Sequence, residues 1–516
     1  MSLSFDGLQF PINPSNHKTS SSQTGKEIIA EALAMVDNSS SKHALAEKNW
    51  RKRYPFYFKI LVEQGIRTGH HSLTIAKQGL HKAHHSFHFY RNGQRYLLKD
   101  MMTDVQTANL HTIKFQGKSD AAPEWYVPYQ GKKLQGQALL TQIQRWEDMG
   151  IIEPSHADAL RTAQAHPEWF NLSDRTLVLF GAGSEAGPLT WLSKWKANIV
   201  AVDLPNSRIW GKILNTIQQG NATLYAPCSQ KLNAATPIAT LKEKLGADLL
   251  TQTPEIAHWL SQNQHPLDLA AIAYLDGEKH VRVAMAMDSI MQYVSQQKPD
   301  TSLMFMCTPT DVYAVPKEVI AASQQKFQQR SKTQKMISKS LALVSGQYFF
   351  KKNQHSLITS DNGKEYGIAD CLVVEQGPNY ALAKRIQQWR ATLARHSGQR
   401  VSINIAPSTT THSVTKNPLL KAAFNGASLF DVESFEPETT NAIMAALWIH
   451  DLRHAESVAN PETPLDHPLE LMMHGANHGG LWRVAYLARS ALPFAALYGF
   501  ANQKFPLNKM LRKHKR

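Results

Sequence analysis

The stretch TLVLFGAGSEAGPLTWLSKWKANIVAVD, Thr176 to Asp203, decides the fold. Thr176 to Phe180 form an apolar run too short for a helix, and the chain turns at once into Gly181-Ala182-Gly183-Ser184-Glu185-Ala186-Gly187. A second run, Asn198 to Val202, ends on Asp203. Strand, glycine-rich turn, helix and acid-terminated strand together predict a βαβ unit of a parallel sheet. Gly181, Gly183 and Gly187 permit a tight turn and let backbone N–H groups, that of Ser184 included, approach a pyrophosphate at the helix N-terminus. Asp203 follows Gly183 by 20 residues, where a carboxylate can accept both hydroxyls of an adenosine ribose.

Outward from this unit the texture persists. LAAIAYL (Leu269 to Leu275), SLMFMC (Ser302 to Cys307) and RVSINIA (Arg400 to Ala406) alternate with amphipathic helical patterns. The alternation predicts an α/β domain over residues 173–451, a doubly wound, parallel Rossmann-like sheet with helices on both faces. Residues 41–172 read as a helical N-terminal domain, with apolar residues at helical spacing in QGQALLTQIQRWEDMGI and a break at Glu153-Pro154. Residues 1–40, rich in Ser and Asn, read as a flexible lead-in, and residues 452–516 as a C-terminal extension with an apolar helix and a basic tail.

The 516 residues are 42% apolar and 19% charged, which excludes fibrous and disordered classes. Lys and Arg exceed Asp and Glu by 56 − 41 = 15, so the surface favours anionic partners, without pointing to a specific nucleic acid. Three dispersed cysteines, Cys228, Cys307 and Cys371, match neither a disulfide framework nor a CxxC metal site. No secretory leader and no membrane-spanning run is read from the chain, so a cytoplasmic location is expected, with at most peripheral membrane contact.

A second pattern sets the reaction class. Tyr380-Ala-Leu-Ala-Lys384 opens a long helical pattern, which leads into RVSINIA and then Pro407-Ser408-Thr409-Thr410-Thr411. One helical turn separates Tyr380 from Lys384, so an ammonium can lower the pKa of a phenol on the same face. A phenol tuned in this way can exchange a proton with a carbonyl or alcohol while hydride moves to or from a nicotinamide. Tyr313/Lys317 and Tyr348/Lys352 share the spacing but lack the helix and strand that follow.

In order and spacing, the glycine turn, Asp203, YALAK, RVSINIA, the threonine run and PETTNAIMAALWIHDL resemble the short-chain dehydrogenase/reductase superfamily over about half the chain, Thr176 to Asp451. The resemblance implies an NAD- or NADP-binding sheet with Tyr380 as general acid/base and Lys384 holding the nicotinamide ribose. It also implies Gly181, Gly183 and Gly187 along the pyrophosphate, Asp203 on the adenine ribose, Asp248 near the adenine, and Thr410 or Thr411 at the nicotinamide end. The sequence departs from the family pattern at Leu189, at Tyr274-Leu275-Asp276-Gly277, and in having no serine in the window before Tyr380. Thr308 and Thr310 are the substitutes for that serine if an insertion occupies residues near 317–370, since a threonine hydroxyl can polarise a substrate oxygen.

Three further features carry expectations. WRKRYPFYFKIL, Trp50 to Leu61, reads as a half-buried helix with a basic edge. His81/His85, His84/His88 and His474/His478 have i,i+4 spacing but lack the companions of a metal site, and no metal is expected. Ala491 to Ala501, followed by Lys509, Arg512, Lys513, Lys515 and Arg516, suits either a bilayer surface or packing on the core, with packing preferred. The whole predicts an NAD(P)-dependent oxidoreductase that interconverts an alcohol and a carbonyl on a bulky, acyl or lipid-like substrate, with room for a homo-oligomer. NAD is preferred, because Asp203 would repel a 2′-phosphate. The alternatives are an S-adenosylmethionine-dependent methyltransferase and a catalytically degraded nucleotide-binding protein.

Overall fold

In strands buried on both faces, alternate residues must feed two separate cores. The computed structural model, which describes residues 6–13, 17–103, 109–232, 236–353, 356–411, 416 and 418–504, shows this division. Val178, Phe180, Val200, Val202 and Phe305 join one core, while Leu177, Leu179, Ile199, Ala201 and Met304 join the other.

Numbered within the central sheet alone, the strands are β1 (His111–Gln116), β2 (Thr176–Phe180), β3 (Asn198–Val202), β4 (Thr223–Cys228), β5 (Asp268–Ala271), β6 (Ser302–Cys307) and β7 (Val401–Ile405). Their order is β7-β6-β5-β2-β3-β4-β1. All pairs are parallel except β1 with β4. Counted from β2, the six parallel strands follow the 3-2-1-4-5-6 order of dinucleotide-binding sheets. The fold is therefore α/β and Rossmann-like.

The helices that matter below are α1 (Trp50–Arg67), α2 (Gly69–Ser86), α3 (Ser207–Gln218), α4 (Glu278–Gln297), α5 (Lys332–Val344), α6 (Gly377–His396), α7 (Pro418–Gly426), α8 (Pro437–Arg453) and α9 (Ala488–Lys504). Helices α1, α2, α4 and α6 supply the first core, α3 and α8 the second. NAIMAALWI is apolar all round, so α8 is buried on nearly every side. In α1, Tyr54, Tyr57 and Phe58 are buried while Arg51, Lys52 and Arg53 form the exposed edge.

Several elements differ from the sequence reading. The helix after the glycine turn is one turn long, Leu189–Leu192, where a full crossover helix was expected. Trp191 and Trp195 are buried there, Trp195 against Phe170, and Lys196 takes a left-handed φ of 56° that ends the turn. Residues 41–172 hold helices but also β1, which extends the central sheet, and a hairpin of Val127–Tyr129 with Lys132–Leu134. Within residues 1–40, expected to be flexible, Gly7–Gln9 pairs antiparallel with His88–Tyr90 and buries Leu8 and Phe10. Leu8, Phe10 and Ile12 alternate over a span too short, and too interrupted by Pro11, to read as a strand, yet Leu8 and Phe10 are buried beside the neighbouring hairpin. In the expected insertion, Glu365–Asp370 pairs antiparallel with Val312–Pro316 and leads the chain back towards α6.

Two of the singled-out histidines, His84 and His478, serve as clamps. His84 Nε2 lies 2.6 Å from Asp288 on α4, and Asp288 also takes two hydrogen bonds from Arg390 on α6, at 2.7 and 2.8 Å. His478 is fully buried with Nε2 2.8 Å from Glu153, whose two carboxylate oxygens also accept from Arg483, each at 2.8 Å. This joins residues 41–172 to residues 452–516. The apolar helix α9 packs on α7 so closely that a Cβ at Gly499 would stand 1.8 Å from the Ala422 carbonyl oxygen. The basic residues from Lys509 to Arg516 lie outside the described residues. Among the described residues no helix is long and apolar enough to cross a membrane.

Candidate active site

Ligands of doubly wound sheets sit beyond the carboxyl ends of the strands where the order reverses, here between β2 and β5. A cleft of about 890 Å³ opens there. Its lining includes Gly181, Gly183, Ser184, Asp203, Asp248, Thr308, Thr310, Thr411, Tyr380 and Lys384. Gly187 and Thr410 are not in its lining. The Gly187 N–H closes the turn on the Ser184 carbonyl, and the Thr410 N–H bonds the Phe435 carbonyl.

At the end of the cleft beside β2 the glycines are sterically required. Gly181 has φ +86°, and a Cβ on it would meet the Ala273 Cα at 2.6 Å. A Cβ on Gly183 would meet Ile209 at 2.8 Å and the Asp203 carboxylate at 3.2 Å. Asp203 accepts from the Gly183 and Leu204 N–H groups, each at 2.8 Å. Burial pushes its pKa up, and those two N–H groups oppose the rise. The Ser184 N–H bonds the Gly181 carbonyl. The turn is thus satisfied internally, and its Gly183 and Ser184 donors reach a phosphate only by releasing these acceptors. With one helical turn behind it, the helix dipole adds little. Asp248, also in the lining, accepts from the Leu250 N–H at 2.8 Å.

The middle of the cleft holds the hydroxyl cluster. Tyr380 stands in the first turn of α6, which Gly377 and Pro378 start. Thr308 lies one residue beyond β6, and its Oγ1 is 2.8 Å from that of Thr310. Tyr313 Oη donates to the Thr308 carbonyl at 2.6 Å and fixes the backbone there. Burial drives the Tyr380 pKa well above that of an ordinary phenol, while hydrogen bonding with the Thr308 side chain pulls it back. Lys384, whose pKa burial lowers, donates to the Met306 carbonyl at 2.9 Å and to Gln387 at 3.2 Å. Its hydrogen bonds therefore tie α6 to the end of β6 instead of reaching the phenol.

Sequence reasoning missed His280 and Tyr274. The His280 ring stacks on Tyr380 at 5.3 Å with an interplanar angle of 21°, and Tyr274 packs on His280 at 4.7 Å. His280 is 1% exposed, and neither ring nitrogen has a hydrogen-bond partner among the described residues. Burial, reinforced by Lys384, keeps it neutral by lowering its pKa well below the ordinary value. The departure at Tyr274-Leu275-Asp276-Gly277 was the available signal, since that segment follows β5 and Gly277 caps α4.

Two properties of the lining limit the ligand. Among the described lining residues, Glu185, Asp203, Asp248, Asp276 and Glu375 stand against one base, Lys384, so the cleft is acidic although the protein as a whole is basic. Its far end is apolar, built from Leu420, Phe424 and Phe430 near α7 and from Ala491, Leu492 and Ala495 of α9. Cys307 borders the cleft as a buried thiol whose pKa burial pushes up to about 12, so it is not a nucleophile at neutral pH. The glycine cradle, which a Cβ would fill, fits a dinucleotide, and the Asp203 and Asp248 carboxylates line the same cleft.

No family model matches the chain, and no curated protein matches it. Among solved structures, the terminal R domain from the myxalamid PKS-NRPS biosynthetic pathway is similar over 52% of this chain, with 15% identity and a TM-score of 0.28. The match spans 61% of that domain's chain. So loose a likeness leaves the case for function to the site itself.

Proposed function

We propose that the protein is a nicotinamide-dinucleotide-dependent reductase that converts the carbonyl of a neutral, lipid-like compound to an alcohol. The observation that carries this reading is one continuous cleft with a glycine cradle and Asp203 at one end, the Tyr380–Thr308–Thr310 hydroxyl cluster in the middle, and apolar walls at the other end. Order and spacing in the sequence, which resemble short-chain dehydrogenase/reductases, support the same reading.

In this account Gly181, Gly183 and Ser184 hold the diphosphate, Asp203 the adenine ribose, Asp248 the adenine, and Thr411 with Lys384 the nicotinamide end. When bound, the nicotinamide supplies the hydride. The Thr308–Thr310 hydrogen bond uses one of the pair's two hydroxyl protons, and the proton left over, that of Thr310 when Thr308 is the donor, polarises the substrate carbonyl. A phenol whose pKa lies above the ordinary value is protonated at neutral pH, so Tyr380 acts as an acid and gives its Oη proton to the oxygen that becomes the alcohol. Lys384 is a positioning residue that sets the separation of α6 from β6, and hence of Tyr380 from Thr308. His280 holds the plane of the phenol by stacking. The acidic lining repels a 2′-phosphate, which favours NADH over NADPH.

The same lining favours a second reading, S-adenosylmethionine, whose sulfonium is cationic, although that chemistry leaves the Tyr380–Thr308 pair without a role. Calorimetric titration of the purified protein with NADH, NADPH and S-adenosylmethionine separates them. The reductase reading expects NADH to bind tightest, and binding of S-adenosylmethionine alone would replace it.

A further inference from the structure

A surface helix ordinarily turns its apolar stripe inward. Helix α5 does the reverse. Ser331 and Gln334 start it with a reciprocal capping box, so it is well formed, yet Ser338 is its one buried residue. Ser338 accepts from Arg330 at 2.9 Å, which marks the side facing the body. At about 100° per residue, Met336, Leu343 and Val344 fall towards the opposite side. They are 65%, 78% and 87% exposed. Lys332, Lys335 and Lys339, all exposed, form a stripe along one flank of that apolar arc.

The apolar surface continues beyond α5. Tyr348 is exposed, and the next residues, Phe349 and Phe350, pack on Phe494 of α9 at 5.1 and 4.4 Å. Further along α9, Leu497 and Phe500 are also exposed. Lys351 and Lys352 add two exposed cations beside the aromatic run. The opposite side of α9, through Ala491, Leu492 and Ala495, walls the apolar end of the cleft. One helix therefore separates the cleft from this exposed face.

We propose that α5, Tyr348 and the outer side of α9 dock the protein onto an anionic lipid bilayer. Exposed Met, Leu, Val and Phe side chains enter the acyl boundary while the lysines meet the headgroups. With 13 residues, α5 is about 20 Å long, too short to span the hydrocarbon core, so it lies in the interface plane. Charge complementarity selects an anionic surface over a zwitterionic one. The docking stands independently of the reductase reading. Entry of a lipid-like substrate from the bilayer into the adjoining cleft rests on that reading.

The test is co-sedimentation of the full chain, without nucleotide or substrate, with vesicles of phosphatidylcholine alone or of phosphatidylcholine with phosphatidylserine. Binding to the anionic vesicles alone, weakening with salt, is expected. The Lys332→Gln, Lys335→Gln, Lys339→Gln triple variant should bind about a hundredfold more weakly, since each lysine near the surface contributes roughly fivefold. Met336→Glu with Leu343→Glu and Val344→Glu should abolish binding without changing the melting temperature, because all three side chains are exposed. The residues after 504 are present in every variant. Equal binding by all of them would therefore assign membrane contact to another surface and overturn the proposal. So would absence of vesicle binding, or concentration-dependent self-association that the glutamate variant removes.

Discussion

Asp288→Asn tests the scaffold that holds the candidate catalytic helix. Asp288 is buried on α4 and receives Arg390 Nε and a terminal guanidinium nitrogen of α6, with His84 of α2 at 2.6 Å. Burial raises the Asp288 pKa, but the Arg390 guanidinium and His84 bring it well below the usual carboxylate range. Asparagine keeps the volume and removes the charge, which leaves the Arg390 cation uncompensated in the interior. Breaking such a pair costs about 3–5 kcal/mol. At about 2.1 cal/mol/K per residue, cooperative unfolding of the chain carries roughly 1.1 kcal/mol/K, so a 3 kcal/mol loss lowers the melting temperature by about 3 °C. The sign with pH follows from a folded pKa below the unfolded one. The ionic contribution is complete above about pH 4 and is lost as pH falls further through the folded value. The gap between the two proteins should therefore be widest near neutrality and narrow in acid. Scanning calorimetry from pH 7 to pH 3 measures it. A neutral-pH difference under about 0.5 °C, or one that widens in acid, would refute the reasoning.

Further outcomes follow from the same geometry. Tyr380→Phe should retain dinucleotide binding in the titration and lose two or more orders of magnitude in turnover, roughly the value of one positioned acid. Thr308→Val, nearly isosteric, removes the hydroxyl that opposes the rise in the Tyr380 pKa, so the alkaline limb of a pH–rate profile should move upward. Gly499→Leu places side-chain carbon against the Ala422 carbonyl, so α9 must leave α7. Loss of activity towards long substrates, with nucleotide binding intact, is expected in kinetic assays.

The sheet was legible where strands are buried on both faces, because continuous apolar runs such as Thr176–Phe180 have few other homes. It was illegible at β1, where only Ile113 is buried and the alternation sits between helical patterns. Strand β4 was hidden because Pro227 interrupts its run. The glycine turn showed the strand it ends but not the length of the helix it starts, since the Ser193 carbonyl is taken by the N–H groups of Asn221 and Ala222, far along the chain, and Lys196 turns left-handed. Thr308 emerged from the sequence as the stand-in for a missing serine, and the structure places it beside Tyr380. The direction in which Lys384 turns was not readable, because its acceptor, Met306, lies 78 residues away. His280 was likewise invisible, since its partner ring comes from a different helix.

The claim that Tyr380 completes a hydride transfer in this cleft is tested most directly with reduced nicotinamide dinucleotide carrying deuterium at both C4 positions and a long-chain aldehyde, with mass spectrometry of the alcohol. The account predicts one deuterium on the carbinol carbon with the unmodified protein and a loss of at least about a hundredfold in its rate of appearance with Tyr380→Phe. Deuterium transfer at an equal rate in both proteins would contradict it.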